Sequence, residues 1–220
     1  MRTHVSQTVL CCFAALRRLC SIRHLDWATV FQSLVAALVL SHMDYGNGTM
    51  VGRQPTHLIR RLQSVQNAAA RLIFRLRSDH TTDSLINLHW LRVPERIVFK
   101  AAVQTYRALH GDALQYLRQF TSIANIPTRQ ILRSFTSDDL CVPAVRLPTV
   151  GRCAFSVAGA RVWNALPADV TSAPPLFTFR KRSNCIFFHL PILALSSKLI
   201  FFLLRGPVVA VCYLGHPRPP

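Results

Sequence analysis

Two patterns predict a mainly α-helical fold, and a third marks where the regular helices stop. Apolar residues recur at helical spacing through residues 5–23, 56–77 and 94–110, which at about 100° per residue gathers them on one face of each segment. Helix-starting and helix-stopping residues stand at the ends of these stretches: Pro55 just before the second, Pro94 at the first position of the third and Gly111 just after it. From Thr121 the texture changes, because prolines at 127, 143, 148, 167, 174 and 175 interrupt the chain and none can continue a helix or donate to a strand. The expected architecture is a bundle of about five to six helices over residues 5–120, which form a basic, thumb-like domain. A Pro-rich irregular region with short strands and a terminal basic helix follows over 121–185, and then a hydrophobic tail over 186–220.

The first helix spans residues 5–23, with Val9, Phe13, Leu16 and Cys20 at helical spacing and Arg17, Arg18 and Arg23 as its charge. Val9 to Leu16 resembles a short signal-peptide core, but Arg17 and Arg18 follow it at once without a convincing cleavage site. Asp26 is placed to cap a second helix, Trp27 to His42, by accepting its free first-turn N–H groups. Val30, Leu34, Ala37, Leu38 and Val39 leave that helix apolar nearly all round, so it is expected to be buried. Asp44-Tyr-Gly-Asn-Gly48 reads as a turn.

Residues 56–77 are the element around which the chain is organised. Leu58, Leu62, Val65, Ala69, Leu72, Ile73 and Leu76 fall on one face about 100° wide, while Arg60, Arg71 and Arg75 gather opposite, with Arg61 and Arg77 on the flanks. No acid interrupts the stretch. A polar joint at 78–82 leads to a short helix, Asp83 to His89, and then to the helix 94–110, with Glu95 near its positive dipole end and Gly111 closing it in the left-handed conformation. Ala113 to Phe120 reads as one more short helix. Leu140 to Val142 and Val145 to Leu147 are short strands at best, and Phe155–Leu166 and Phe177–Cys185 are the last helices. Ile186 to Leu204 has the length of a membrane span, though Lys198 lies within it and a central lysine costs about 2–3 kcal/mol there.

The chain carries 26 Lys and Arg against 9 Asp and Glu, a net charge of +17. Lysine occurs only at 100, 181 and 198, so the surplus is arginine, whose planar fork matches two phosphate oxygens at once. The surplus is concentrated at +8 in residues 1–78 and +5 in 140–185, against +1 in 79–139. A polyanion partner is implied: nucleic acid first, an anionic membrane second. The seven cysteines show no C-x-x-C and no disulfide-type spacing and are read as reduced and mostly buried. Cys20 and His24 are one turn apart, but two ligands do not make a metal site.

Four stretches occur in order: Ser41-His-Met-Asp-Tyr-Gly-Asn47, Leu62-Gln-Ser-Val-Gln-Asn-Ala-Ala-Ala-Arg-Leu-Ile73, Leu88-His-Trp-Leu-Arg-Val-Pro-Glu-Arg-Ile97 and Gly159-Ala-Arg-Val-Trp-Asn-Ala-Leu-Pro167. Together, from about His4 to Cys185, they resemble the region that follows the catalytic core in LINE-type, non-LTR retrotransposon reverse transcriptases, and Phe177-Thr-Phe-Arg-Lys-Arg182 resembles its end. The resemblance implies endonuclease and polymerase domains upstream in a full-length relative, both expected to be missing here. It also implies a thumb-like role along a template–primer duplex for residues 5–110. Relatives finish shortly after the basic helix, so the composition from Ile186 on is what read-through into flanking sequence would give.

No catalytic constellation is found. The metal-binding aspartate pair of a reverse transcriptase has one adjacent counterpart, Asp138-Asp139. That pair lacks a preceding aromatic–small dipeptide and an upstream third aspartate, and reads as a solvated turn. Glu95 is the sole glutamate, and no nucleophile elbow or phosphate loop occurs. His89 reads as a packed histidine, and Trp90 and Trp163 as core. The expectation is a non-enzymatic chain without cofactor or metal. It binds RNA or RNA–DNA hybrid through phosphates at Arg17, Arg18, Arg60, Arg61, Arg71, Arg75 and Arg77, in the cytoplasm or nucleus, with a separate polymerase domain as a candidate partner. The competing readings are a functionless relic and a small membrane protein anchored by 186–204.

Overall fold

The apolar stripes fold as helices, and the ends of those helices follow from local backbone chemistry. The structure, a computed structural model, describes residues 2–23, 28–45, 56–76, 81–125, 139–146, 151, 154–173 and 175–193. The expectations for Asp26, Pro55, the turn residues Gly46 to Gly48, the joint at 78–80 and the tail from 194 lie outside these residues. The described residues are mainly helical, and the chain divides into two compact units, Met1–Ile97 and Val98–Pro220.

In the first unit, α1 (Arg2–Ile22) packs along α4 (Thr56–Phe74). Val5, Val9, Cys12, Leu16 and Leu19 of α1 are buried, as are Leu58, Leu62, Val65 and Ala69 of α4, the first part of the stripe its spacing predicts, whereas Leu72, Ile73 and Leu76 at its end are only half-buried. Between them in sequence, α2 (Ala28–Val35) runs through a π-helical segment, Ala36–Leu40, into α3 (Ser41–Asp44). The thiol of Cys12 donates to the Val39 carbonyl at 3.8 Å, and His4 stacks on Tyr45 with centroids 6.0 Å apart, so α1 runs antiparallel to this helix. The expected all-round burial is corrected here. Val35, Val39, Leu40 and Met43 are buried, but Val30, Leu34 and Leu38 are 46%, 38% and 48% exposed. The partners of this helix, α1 and α4, cover one side only.

The short helix α5 (Thr81–Asn87) ends with His89 at φ 54°, where Trp90 N–H donates back to Leu85 O at 2.9 Å. This is a left-handed cap of the kind glycine usually makes. Such a cap does close α6 (Val93–Leu109): Gly111 has φ 85°, and Asp112 N–H reaches Arg107 O at 2.9 Å.

The second unit is built on aromatic contacts. Tyr106 lies 4.4 Å from the Phe179 ring centroid and 6.4 Å from that of Trp163, and its hydroxyl donates to Ala173 O at 3.1 Å. Helix α7 (Phe155–Asn164) approaches closely at Gly159, where a Cβ would fall 2.7 Å from Thr105 Oγ1 and 2.9 Å from Phe120 Cζ. At its end Asn164 accepts from Leu140 N–H and donates to Leu140 O, both at 2.9 Å. The strand expected at Leu140 to Val142 is a single antiparallel bridge, Ser122 to Leu140, and no strand forms among the described residues. The helix expected over Ala113 to Phe120 shortens to a 3-10 turn, Gln115–Leu117. After α8 (Ala168–Thr171), α9 runs from Leu176 to Leu193. Phe187 is buried and Ile186 packs on the core, so the first turn of the apolar tail belongs to the helix before it.

Candidate nucleic-acid interface

Helix α4 is held by an amide network that leaves its arginines outside. Gln66 is fully buried and donates to Leu91 O at 2.8 Å. Gln63 accepts from Val93 N–H at 2.9 Å and donates to Gln66 and Asn67 at 3.1 and 2.8 Å. These bonds satisfy buried backbone groups that would otherwise be unpaired and set the rotation of α4. A second joint is the fork of Arg96 on Asp44, with two bonds of 2.6 Å. The first three sequence motifs thus meet one another: Asp44 of the first joins Arg96 of the third, and Gln63 and Gln66 of the second join Leu91 and Val93. In the second unit, Gly159, Trp163 and Asn164 of the fourth motif do comparable work. The sequence marks these stretches but does not show their contacts. One signal was present in Gln66, a glutamine at the edge of the apolar stripe of α4.

With α4 so oriented, Arg60 and Arg61 are exposed in its second turn and Arg71 is half-buried near its end. Arg61 Nη1 donates to Ser6 Oγ at 2.9 Å, which brings it across the contact with α1. The helix stops at Phe74, earlier than the expected Arg77. Leu76 N–H donates to Arg71 O at 3.2 Å, and Arg75 takes the left-handed cap at φ 57°. Arg75 is exposed one residue beyond the helix rather than on its far face, and Arg77 lies outside the described residues. On α1, Arg17 and Arg18 are both exposed in the last two turns, beside the buried Leu16 and Leu19. Neither α1 nor α4 contains an acid. Among the described residues, no carboxylate pairs with any of these six arginines, the ion pairs being Asp44–Arg96 and Asp169–Arg182.

The remaining candidates resolve differently. Trp90 and Trp163 are buried, so neither offers a stacking face. His89 is exposed rather than packed, and its Nδ1 lies 3.0 Å from Ile86 O, a capping contact. Asp138 and His24 lie outside the described residues, and Asp139 O accepts from Ile123 N–H at 2.9 Å. The described cysteines are free, but contrary to expectation mostly not buried. Cys11 and Cys20 are exposed, Cys141 and Cys185 are intermediate, and only Cys12 is buried among the described residues. Burial, and then the neighbouring Cys11, push the Cys12 thiol up to about 11. Glu95 sits in the first turn of α6, where burial raises its carboxyl above the usual range against the opposing pull of its own backbone N–H and of Arg92. Its Oε2 has no hydrogen-bond partner among the described residues.

Among the described residues one helix, Thr3–Ile22, is long and apolar enough to cross a membrane. Its buried face is the one packed on α4. The chain matches no protein-family profile, no curated protein and no solved structure.

Proposed function

We propose that this chain is a non-catalytic nucleic-acid-binding module, derived from the post-catalytic region of a LINE-type reverse transcriptase. It takes RNA or RNA–DNA hybrid through phosphate contacts, in the cytoplasm or nucleus. One observation carries the reading: α1 and α4 pack on each other through their apolar faces and turn arginines, free of carboxylate partners among the described residues, away from that core. Arginines so held meet phosphates bidentately without reading bases, and a surface without nearby acids presents an undivided positive potential to a polyanion. The network from Gln63 and Gln66 supports the reading, because it fixes the rotation of α4 and with it the direction of the arginine face.

The test uses the full chain with an RNA–DNA hybrid and the variant Arg60→Ala/Arg61→Ala/Arg71→Ala/Arg75→Ala. The reading expects tight, sequence-indifferent binding by the parent at low salt and a large loss in the variant, with unchanged circular dichroism. Equal binding by variant and parent at the same salt removes the arginine face from the account.

A further inference from the structure

The second unit carries its own unused surface on α9. Phe177 is 77% exposed, more than any other large apolar side chain described. Arg180 and Lys181 follow one turn later, a rise of about 5 Å, and both are exposed. At about 100° per residue they straddle Phe177, one on either side, with the half-buried Asn184 between them a further turn along. The far side of the helix holds Phe179 and Ser183 in the core, and Phe187 is buried further along, so the helix cannot rotate to hide the phenyl ring. Arg182 is committed elsewhere: it donates to Asp169 O at 2.6 Å and lies 3.7 Å from the Asp169 carboxylate. Arg180 and Lys181 have no carboxylate partner among the described residues, and α9 contains no acid.

We infer that Phe177, Arg180 and Lys181 form a contact site for single-stranded nucleic acid, with one base stacked on the Phe177 ring and the adjoining phosphates met by the two cations. The inference rests on the nucleic-acid reading above but concerns a different unit and a different form of the ligand. A duplex hides its base faces, whereas a single strand offers them to any exposed aromatic, whatever the sequence. The cations supply the charge complementarity that a solvent-exposed phenyl ring alone lacks. An anionic membrane would also meet arginine and lysine, but an interfacial helix needs a continuous apolar face. Here Phe177 is followed along its face by Arg180, Lys181 and Asn184.

The experiment titrates the full chain with a fluorescent 15-nucleotide oligo(dT), an RNA–DNA hybrid of the same length, and phosphatidylserine vesicles. Phe177→Ala is expected to weaken oligo(dT) binding about tenfold and to leave hybrid binding within about twofold. Phe177→Trp is expected to restore single-strand binding, with its added fluorescence quenched by oligo(dT) through stacking. Arg180→Gln/Lys181→Gln is expected to lower the salt slope for oligo(dT) by about 1.4. Circular dichroism checks that each variant keeps its helices. The proposal is overturned if Phe177→Ala binds oligo(dT) like the parent, if it loses both ligands equally, or if only vesicle binding responds. Hybrid binding that depends on the α4 arginines while oligo(dT) ignores Phe177 sinks this site alone. A parent that binds neither nucleic acid sinks both readings.

Discussion

Arg75 holds two roles that pull in opposite directions. Its backbone, at φ 57°, closes α4 in a conformation that L-residues adopt at a cost, while its side chain is exposed just beyond the helix and, in the proposed function, meets phosphate. Arg75→Gly should therefore stabilise the fold by about 0.5–1 kcal/mol and weaken nucleic-acid binding in the same protein. A urea midpoint and a binding titration on one preparation read both signs. Glu95 gives a second residue-scale prediction. Its folded-state carboxyl titrates above its ordinary value of 4.5 because of burial, so the folded state holds the proton more tightly than the unfolded one. That contribution is fully present below the unfolded value and is lost as pH rises through the raised one. Glu95→Gln should match the parent in stability near pH 4 and gain on it steadily toward pH 7, as read from urea midpoints across that window. A gap that shrinks on raising the pH contradicts the assignment.

At the scale of the element, α4 shows what spacing reveals and what it hides. Leu58, Leu62, Val65 and Ala69 are legible in sequence, because a 3.6-residue period in apolar residues has one physical meaning. Gln66 is not: a glutamine on that face reads as a flaw until the Leu91 carbonyl, 25 residues away, is placed against it. Gln66→Leu should cost about 1–3 kcal/mol despite its added apolarity, since it strands that carbonyl without a donor, and denaturant unfolding measures it. The α2 stripe failed for the complementary reason. A helix apolar on all sides carries no information about which side is covered, and Val30, Leu34 and Leu38 are left exposed. Helix ends were legible where glycine made them, at Gly111, and obscure where Arg75 and His89 did the same work. The exposure of Arg60 and Arg61 was legible because their positions fall opposite the apolar stripe or on its flank, whereas the half-burial of Arg71 and the cap position of Arg75 follow only from the structure.

At the scale of the whole molecule, the four motifs and the charge divide the work. The motifs make joints inside each unit: the Asp44–Arg96 fork and the glutamine network in the first, and Gly159, Trp163 and Asn164 in the second. Among the described residues the arginines of α1 and α4 take no part in those joints apart from the Arg61–Ser6 contact, and none of them pairs with a carboxylate. Arginines that contact phosphate release counterions, and each contact adds about 0.9 to the dependence of log K on log salt. The most direct test of the account is therefore that slope, measured for the full chain on an RNA–DNA hybrid between about 50 and 200 mM salt and compared with the slope for the quadruple variant at Arg60, Arg61, Arg71 and Arg75. The account predicts a steep slope in the parent, shallower by about 3–4 in the variant. Parallel slopes for the two proteins would contradict it, even if their affinities differed.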